Sequence, residues 1–272
     1  MRLATFNMMH GQSLLDGRVD IDRFRAAIAT LDADVLTLQE VDRDQPRSHR
    51  LDLAGEAANV LGAHFRFVPT LYGTPGQEWR AATGQDGSHE AGQGPRYGIA
   101  LLSRLPVRTW YVRRLPAAPI PSPLLLPGPE RRMRLMQDEP RVVLAARIDT
   151  PAGPLTVATT HLSFVPGWNA LQLVRVTRRL LELPGPWLLA GDLNLPGPLP
   201  RLLSGWRQLA RSATYPANQP RVQIDHVLGH GDLPPVVGAH TVGTSVSDHL
   251  ALVMQLVVGG TRSGGPPSAP MA

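Results

Sequence analysis

Asp192 and Asn194 stand two apart in the segment WLLAGDLN, where an apolar run ends at a glycine. In an extended chain that spacing puts both side chains on one side. Gly191 lets the backbone pass close to a neighbour or a ligand. An aspartate there can orient or deprotonate a water, and an asparagine can bind a phosphate oxygen or a metal without adding charge. The same residues can form an Asx turn leading into Pro196-Gly197. Other apolar runs end the same way: Asn7 in RLATFN, Glu40 in DVLTLQE, His161 in LTVATTHLS, Asp225 in QIDHV, with Asp248-His249 in SDHLAL. Glu40 suits Mg²⁺, which takes one or two protein carboxylates and keeps several waters. It equally reads as an exposed strand-end glutamate, with Asp42 and Asp44 as other ligands or as solvated groups. Asp225 can accept a hydrogen bond from Nδ1 of His249, fixing its tautomer and raising its basicity. Ser247 and Asp248 can instead be capping residues. His161 reads as a catalyst or as a satisfied core histidine. Arg141 opens the strand RVVLAARID, where its guanidinium can meet a phosphate or pair with Asp138 or Glu139. Carboxylates, amides and histidines in this mix are what a hard divalent cation and a phosphate ester need.

Such residues act together only if their strands end at one mouth, the usual place for chemistry in α/β folds. The apolar runs are short enough to be buried strands. RLATFN, DVLTLQEV, HFRFVPT, RVVLAARIDT, LTVATTHLS, WLLAGDLN, QIDHVLG, VVGAHTVG and HLALVMQLVV all read so. YGIALLSRLPV and RTWYVRRL read as neighbouring strands, and PAGP as a hairpin turn. Helical spacing marks VDIDRFRAAIATL, LDLAGEAANVLGA and WNALQLVRVTRRLLEL. Two segments, Leu71–Arg96 and Pro116–Pro140, read as long loops that shape a pocket, the first mobile and the second Pro-rich with the basic run ERRMR. The pattern predicts an α/β fold: two mixed sheets packed face to face with helices on both outer faces. One domain spans 1–258, followed by a disordered tail, 259–272.

The chain has no cysteine, which excludes disulfides and thiolate metal sites. All 27 basic residues are arginine, and the net charge is +5. That balance suits an anionic substrate but falls short of a polybasic nucleic-acid arm. No signal peptide and no bilayer-spanning stretch are visible, so a soluble, cytoplasmic monomer is expected.

Taken in order, TFN (5–7), LQEVD (38–42), YGIALLSRLP (97–106), TTHLS (159–163), GDLN (191–194), IDHV (224–227) and SDHLAL (247–252) resemble the endonuclease/exonuclease/phosphatase superfamily of Mg²⁺-dependent phosphoesterases. They cover nearly the whole chain. The resemblance implies a four-layer α/β/β/α sandwich. It puts Asn7, Glu40 and Asp248 around Mg²⁺, or Mn²⁺ in its place. Asp192 and Asn194 position water and phosphate. His249, paired with Asp225, stabilises the transition state or acts as general acid–base, while His161 contacts the phosphate and Tyr97 lines the site. The His of TTHLS looks like the sphingomyelinase, deoxyribonuclease and phosphatase branches. The implied activity is hydrolysis of a phosphate ester by metal-activated water. Competing readings are a DNA nuclease, whose duplex would meet Arg131, Arg132 and Arg134, and a binding protein that kept the fold without catalysis.

Overall fold

The computed structural model describes residues 1–83, 94–126 and 132–257. The expected tail at 259–272 and Arg131 lie outside the described residues, as does much of the first long loop. The first sheet has the order β14 (Val236–Val242), β15 (Ala251–Leu256), β1 (Arg2–Asn7), β2 (Val35–Arg43), β5 (Arg96–Ser103), β3 (His64–Gly73), β4 (Trp79–Ala81). The second runs β12 (Arg207–Gln208), β13 (Asp225–His230), β11 (Trp187–Asp192), β10 (Gly153–His161), β9 (Arg141–Thr150), β6 (Val107–Leu115). Both are mixed: β1–β2 and β10–β11 are parallel, while β1–β15 and β11–β13 are antiparallel.

Alternation along the strands builds the layers. Leu3, Val35 and Leu101 of the first sheet pack against Val142, Leu144, Val157, Leu188 and Ala190 of the second. Their chain neighbours point the other way. Ala4, Leu36 and Leu102 meet Phe24, Ile28 and Leu31 of α1 (Ile21–Leu31) and Leu53 and Ala57 of α2 (Leu53–Leu61). Val143, Ala145 and Leu189 meet Leu173, Val176 and Leu180 of α3 (Trp168–Leu180). Strands covered on both faces need apolar residues at successive positions, which is why the runs are continuous. The helices start where side chains can accept orphan N–H groups: Asp20 caps α1 and Asp52 caps α2. A short helix, α4 (Leu199–Ser204), and strand β12 were not foreseen. Among the described residues no helix is long and apolar enough to cross a membrane.

Three expectations are corrected. β5 and β6 are not neighbours: Arg104–Pro106 carries the chain from one sheet to the other. The Pro116–Pro140 segment is not a plain loop, because β7 (Ser122–Leu126) and β8 (Arg132–Met136) pair there as a two-stranded ribbon. Pro123 is compatible with it because both strands are edges. The Leu71–Arg96 segment begins with ordered structure, where β3 continues to Gly73 and turns back into β4.

Candidate active site

The parallel β1–β2 pair aligns Asn7 with Gln39. Register then shifts between Leu38 and Val41, and Glu40 takes φ 57°. This bulge takes Glu40 out of the ladder and re-aims it at the mouth, a common use of bulges. In the second sheet β11 ends level with both its neighbours: Asp192 pairs with His161 on one side and with Asp225 on the other. Register partners share a face, so the three side chains stand in a row. Gly191 is required here, since a Cβ would lie 2.1 Å from the Thr160 carbonyl oxygen. The Ser247 hydroxyl ties the segment before β15 to the end of β1, donating to the Asn7 carbonyl at 2.6 Å and accepting from the His249 N–H at 3.0 Å.

Hydrogen bonds lock the row into a network. The Asn7 amide nitrogen donates to Glu40 Oε1 and to Asp192 Oδ2, both at 3.0 Å. His161 Nε2 lies 3.4 Å and His249 Nε2 3.9 Å from that same Asp192 oxygen. His249 Nδ1 sits 2.8 Å from Asp225 Oδ2. Asp192 Oδ1 accepts the Asn194 N–H at 2.9 Å, so the Asx turn and the site are one structure. Asn194, at φ 50°, donates its side-chain amide to the Leu162 carbonyl at 3.0 Å. That amide carries a second N–H for a ligand. Asp248 and Tyr97 line the same cleft, of about 430 Å³.

Arg141 is buried and lines the cleft as well. Its Nη2 donates to Asp138 Oδ1 at 3.2 Å, so the ion-pair reading holds. Its Nε is buried and has no hydrogen-bond partner among the described residues, so a donor remains at the site. Asp138 also accepts the Ala118 N–H at 2.7 Å, which ties the two ends of the ribbon segment together. The alternative carboxylates are taken: Asp42 is held by Arg47 at 2.8 and 2.7 Å, and Asp44 accepts from Arg50 and from the Gly94 N–H.

The electrostatics follow from burial and neighbours. Burial pushes Asp192 upward, with the Asp225 charge adding to it. Burial opposes the His249 cation, but the charge and hydrogen bond of Asp225, with Asp192 and Asp248 behind, push His249 up to about 10. Burial, with the charges of Arg141 and His249, holds His161 well below the usual histidine range. The surroundings therefore favour the charged form of His249 and the neutral form of His161. Burial raises Glu40, and the Asn7 hydrogen bond only partly offsets it.

Two oxygen-rich groupings could take a cation. Donor atoms of Asp192, Asp225 and His249 lie within 4.8 Å of one another. His249 spends Nδ1 on Asp225, and the carboxylates around it favour its cationic form, which makes it a poor ligand. Glu40, whose hydrogen-bond partner among the described residues is the neutral Asn7 amide, and nearby Asp248 make a hard-oxygen pair that suits Mg²⁺ or Mn²⁺ better. Tyr215 was missed by sequence reasoning. Its ring stands 5.0 Å from that of His249, between centroids. Phe164, Met136, Gln137 and Glu139 also line the cleft unforeseen. They come from loops and ribbon ends, where no periodicity marks them.

The model of the Endonuclease/Exonuclease/phosphatase family matches residues 4–249. The chain belongs to this family. A solved endonuclease/exonuclease/phosphatase from Beutenbergia cavernae is 25% identical, with TM-score 0.64 over 97% of this chain and 73% of that one. The human Nocturnin catalytic domain, solved with bound sulfate, shares the fold at 18% identity, TM-score 0.59, and 93% of each chain. So does the mannosyl-6-phosphatase Bt3783 of Bacteroides thetaiotaomicron, at 14% identity, TM-score 0.59, and 94% of this chain against 99% of that one. No match was found among curated protein sequences. Family members are phosphoester hydrolases, and the two-sheet sandwich here is the family's fold.

Proposed function

We propose that the chain is a divalent-metal-dependent hydrolase of phosphate esters that uses water as nucleophile. The observation that carries this is the row His161–Asp192–Asp225, in register at one strand end and completed by His249 at 2.8 Å from Asp225. Glu40 and Asp248 would hold the cation, with Asn7 as the bracket between Glu40 and Asp192. When bound, the cation neutralises charge on a phosphoryl oxygen and polarises it.

The chain's own groups divide the rest of the work. His161, Asn194 and Arg141 bind the phosphate, the arginine through its unpartnered Nε–H. Tyr97 forms the wall beside it. Asp192, held by Asn7 and by the Asn194 N–H, accepts a hydrogen bond from the attacking water and aligns it. The His249 imidazolium donates to the phosphoryl or leaving oxygen, where it neutralises charge or passes a proton. Asp225 keeps His249 oriented and cationic. A screen with Mg²⁺ or Mn²⁺ against phosphodiesters, phosphomonoesters, sphingomyelin, DNA and RNA tests the reading. Turnover that chelator abolishes is expected on at least one class. Hydrolysis undiminished by chelator, or none on any class, would overturn it. Selective cutting of nucleic acid would establish the nuclease branch.

A further inference from the structure

The two sheets end in four strands: β14 and β4 in the first, β12 and β6 in the second. An edge strand leaves a row of backbone N–H and C=O groups unpaired, a template for another strand, so such strands are usually short or charged. Three of the four fit that rule. β12 has two residues, and β4 has three, one of them Arg80. β4 leaves the start of β3 open, and Arg66 sits there. β6 is long but carries Arg108, Arg113 and Arg114, which would repel a second copy of itself. β14 departs from the rule. Its seven residues, VVGAHTV, contain no carboxylate, arginine or proline. Val237, Gly238, Ala239 and His240 are exposed in succession, Val237 at 62%. Side chains alternate along a strand, so both faces are open there as well as the edge. The strand is nonetheless well held. It pairs with β15 from Val236 to Val242, and those two valines pack against the cores on either side of the sheet. The edge is blunted by a single register shift at Val237, at the end remote from the mouth.

We infer that β14 is a homodimer interface, pairing antiparallel with β14 of a second copy about a two-fold axis at Ala239. The strand is complementary to itself about that point. Gly238 would face the partner's His240, and there is room for that ring, since a Cβ on Gly238 would meet nothing within 4 Å. Val237 would face the partner's Thr241, a β-branched pair of the kind that favours antiparallel ladders. An unrelated strand would have to match this pattern by sequence, whereas a second copy matches it by symmetry, with each contact made twice. Neither strand brings a formal charge that the other would have to neutralise. The inference stands apart from the proposed phosphoesterase activity, and it replaces the monomer expected from the sequence. Val242 lies opposite Ala251, at the mouth end of the sheet, so antiparallel pairing would set the two mouths at opposite ends of the dimer.

Sedimentation velocity of the full chain across a concentration series tests it. The expected result is a species of twice the 29.5 kDa of one chain, growing with concentration. A chain that stays at 29.5 kDa throughout would overturn the inference. Ala239→Lys and, separately, Ala239→Glu put like charges opposite each other at the axis. Each should weaken the dimer at least about tenfold, because like-charge juxtaposition is strongly unfavourable. Both should melt near wild type, since Ala239 is exposed. Mixing the two should restore a dimer, with a lysine strand against a glutamate strand. A dimer that neither variant weakens, or a mixture that stays monomeric, would rule out this edge as the contact. The absence of cysteine allows a second reading. Under mild oxidation Ala239→Cys should give a disulfide-linked dimer, because directly opposite residues lie within disulfide reach. Val237→Cys, which would face Thr241 rather than itself, should not. A cross-link at Val237 and none at Ala239 would refute the axis.

Discussion

Asp192 is the residue on which the others converge: one oxygen faces Asn7, His161 and His249, and the other takes the Asn194 N–H. Asp192→Asn keeps the shape and loses the charge that aligns water. We expect kcat to fall by roughly 10²–10⁴, the range for a lost acid–base group, with KM nearly unchanged. A variant that mainly raised KM would move Asp192 to substrate binding. Asp225 acts through His249, so Asp225→Asn should cost less than His249→Ala, and the double variant should be no worse than His249→Ala alone. The pH profile gives a second reading of that pair. Asp225 holds His249 up, to about 10, so the alkaline limb of activity should move to lower pH in Asp225→Asn. An alkaline limb that stays in place would mean another group sets it. Most of these residues were legible in the sequence because strands that end flush put their last polar residues side by side. Tyr215 was not, and neither were the bonds of Ser247 to Asn7 and of Asp138 to Ala118. These contacts are made by tertiary structure rather than by any local pattern.

At the scale of elements, β11 is tightly constrained, because β10 and β13 flank it and Gly191 faces the Thr160 carbonyl. Gly191→Ala must push β10 and β11 apart. Overpacking of this kind costs about 1–3 kcal/mol, or a melting point lower by roughly 2–12 °C in a domain of this size. Activity should fall further than stability, since Asp192 and His161 sit one residue beyond the strain. Thermal melting beside kinetics checks both, and a variant that melts and turns over like wild type would contradict the close approach. Strands buried on two faces announce themselves as continuous apolar runs, so most of the ladder could be read directly. Their assignment to sheets could not. An alternating run such as that of β6 specifies an inner face, not a partner, and only the Arg104–Pro106 crossing separates it from β5. The ribbon of β7 and β8 escaped for a different reason: it lies in a Pro-rich stretch and borders no larger sheet.

Across the whole molecule, the site is a joint between the sheets. Asn7, Glu40 and Tyr97 come from the first, and Arg141, His161, Asp192 and Asp225 from the second. A cation at Glu40 and Asp248 would bind only when the first sheet has brought β2 and the segment before β15 together, so it should stabilise the fold. At a hundredfold excess over its dissociation constant, the linkage is about 2.7 kcal/mol. Saturating Mg²⁺ or Mn²⁺ should therefore raise the melting temperature by roughly 5–11 °C, and chelator should reverse the rise. Glu40→Gln should lose most of the shift while its metal-free melting stays near that of wild type. A full shift in that variant would place the cation elsewhere. At the opposite end of the sandwich, the Met1 ammonium donates to the Leu256 carbonyl at 2.8 Å. The exposed turn at Pro151-Ala152, between β9 and β10, lies on that same far side, since both strands reach the cleft at their other ends. The chain can accordingly be re-cut as a circular permutant, with residue 257 joined to residue 1 by a short glycine linker and new ends opened at Ala152. Every strand would keep its neighbours. Old and new ends alike would face away from the mouth, so the protein could be tethered to a surface or fused to a reporter there with its cleft open to solvent.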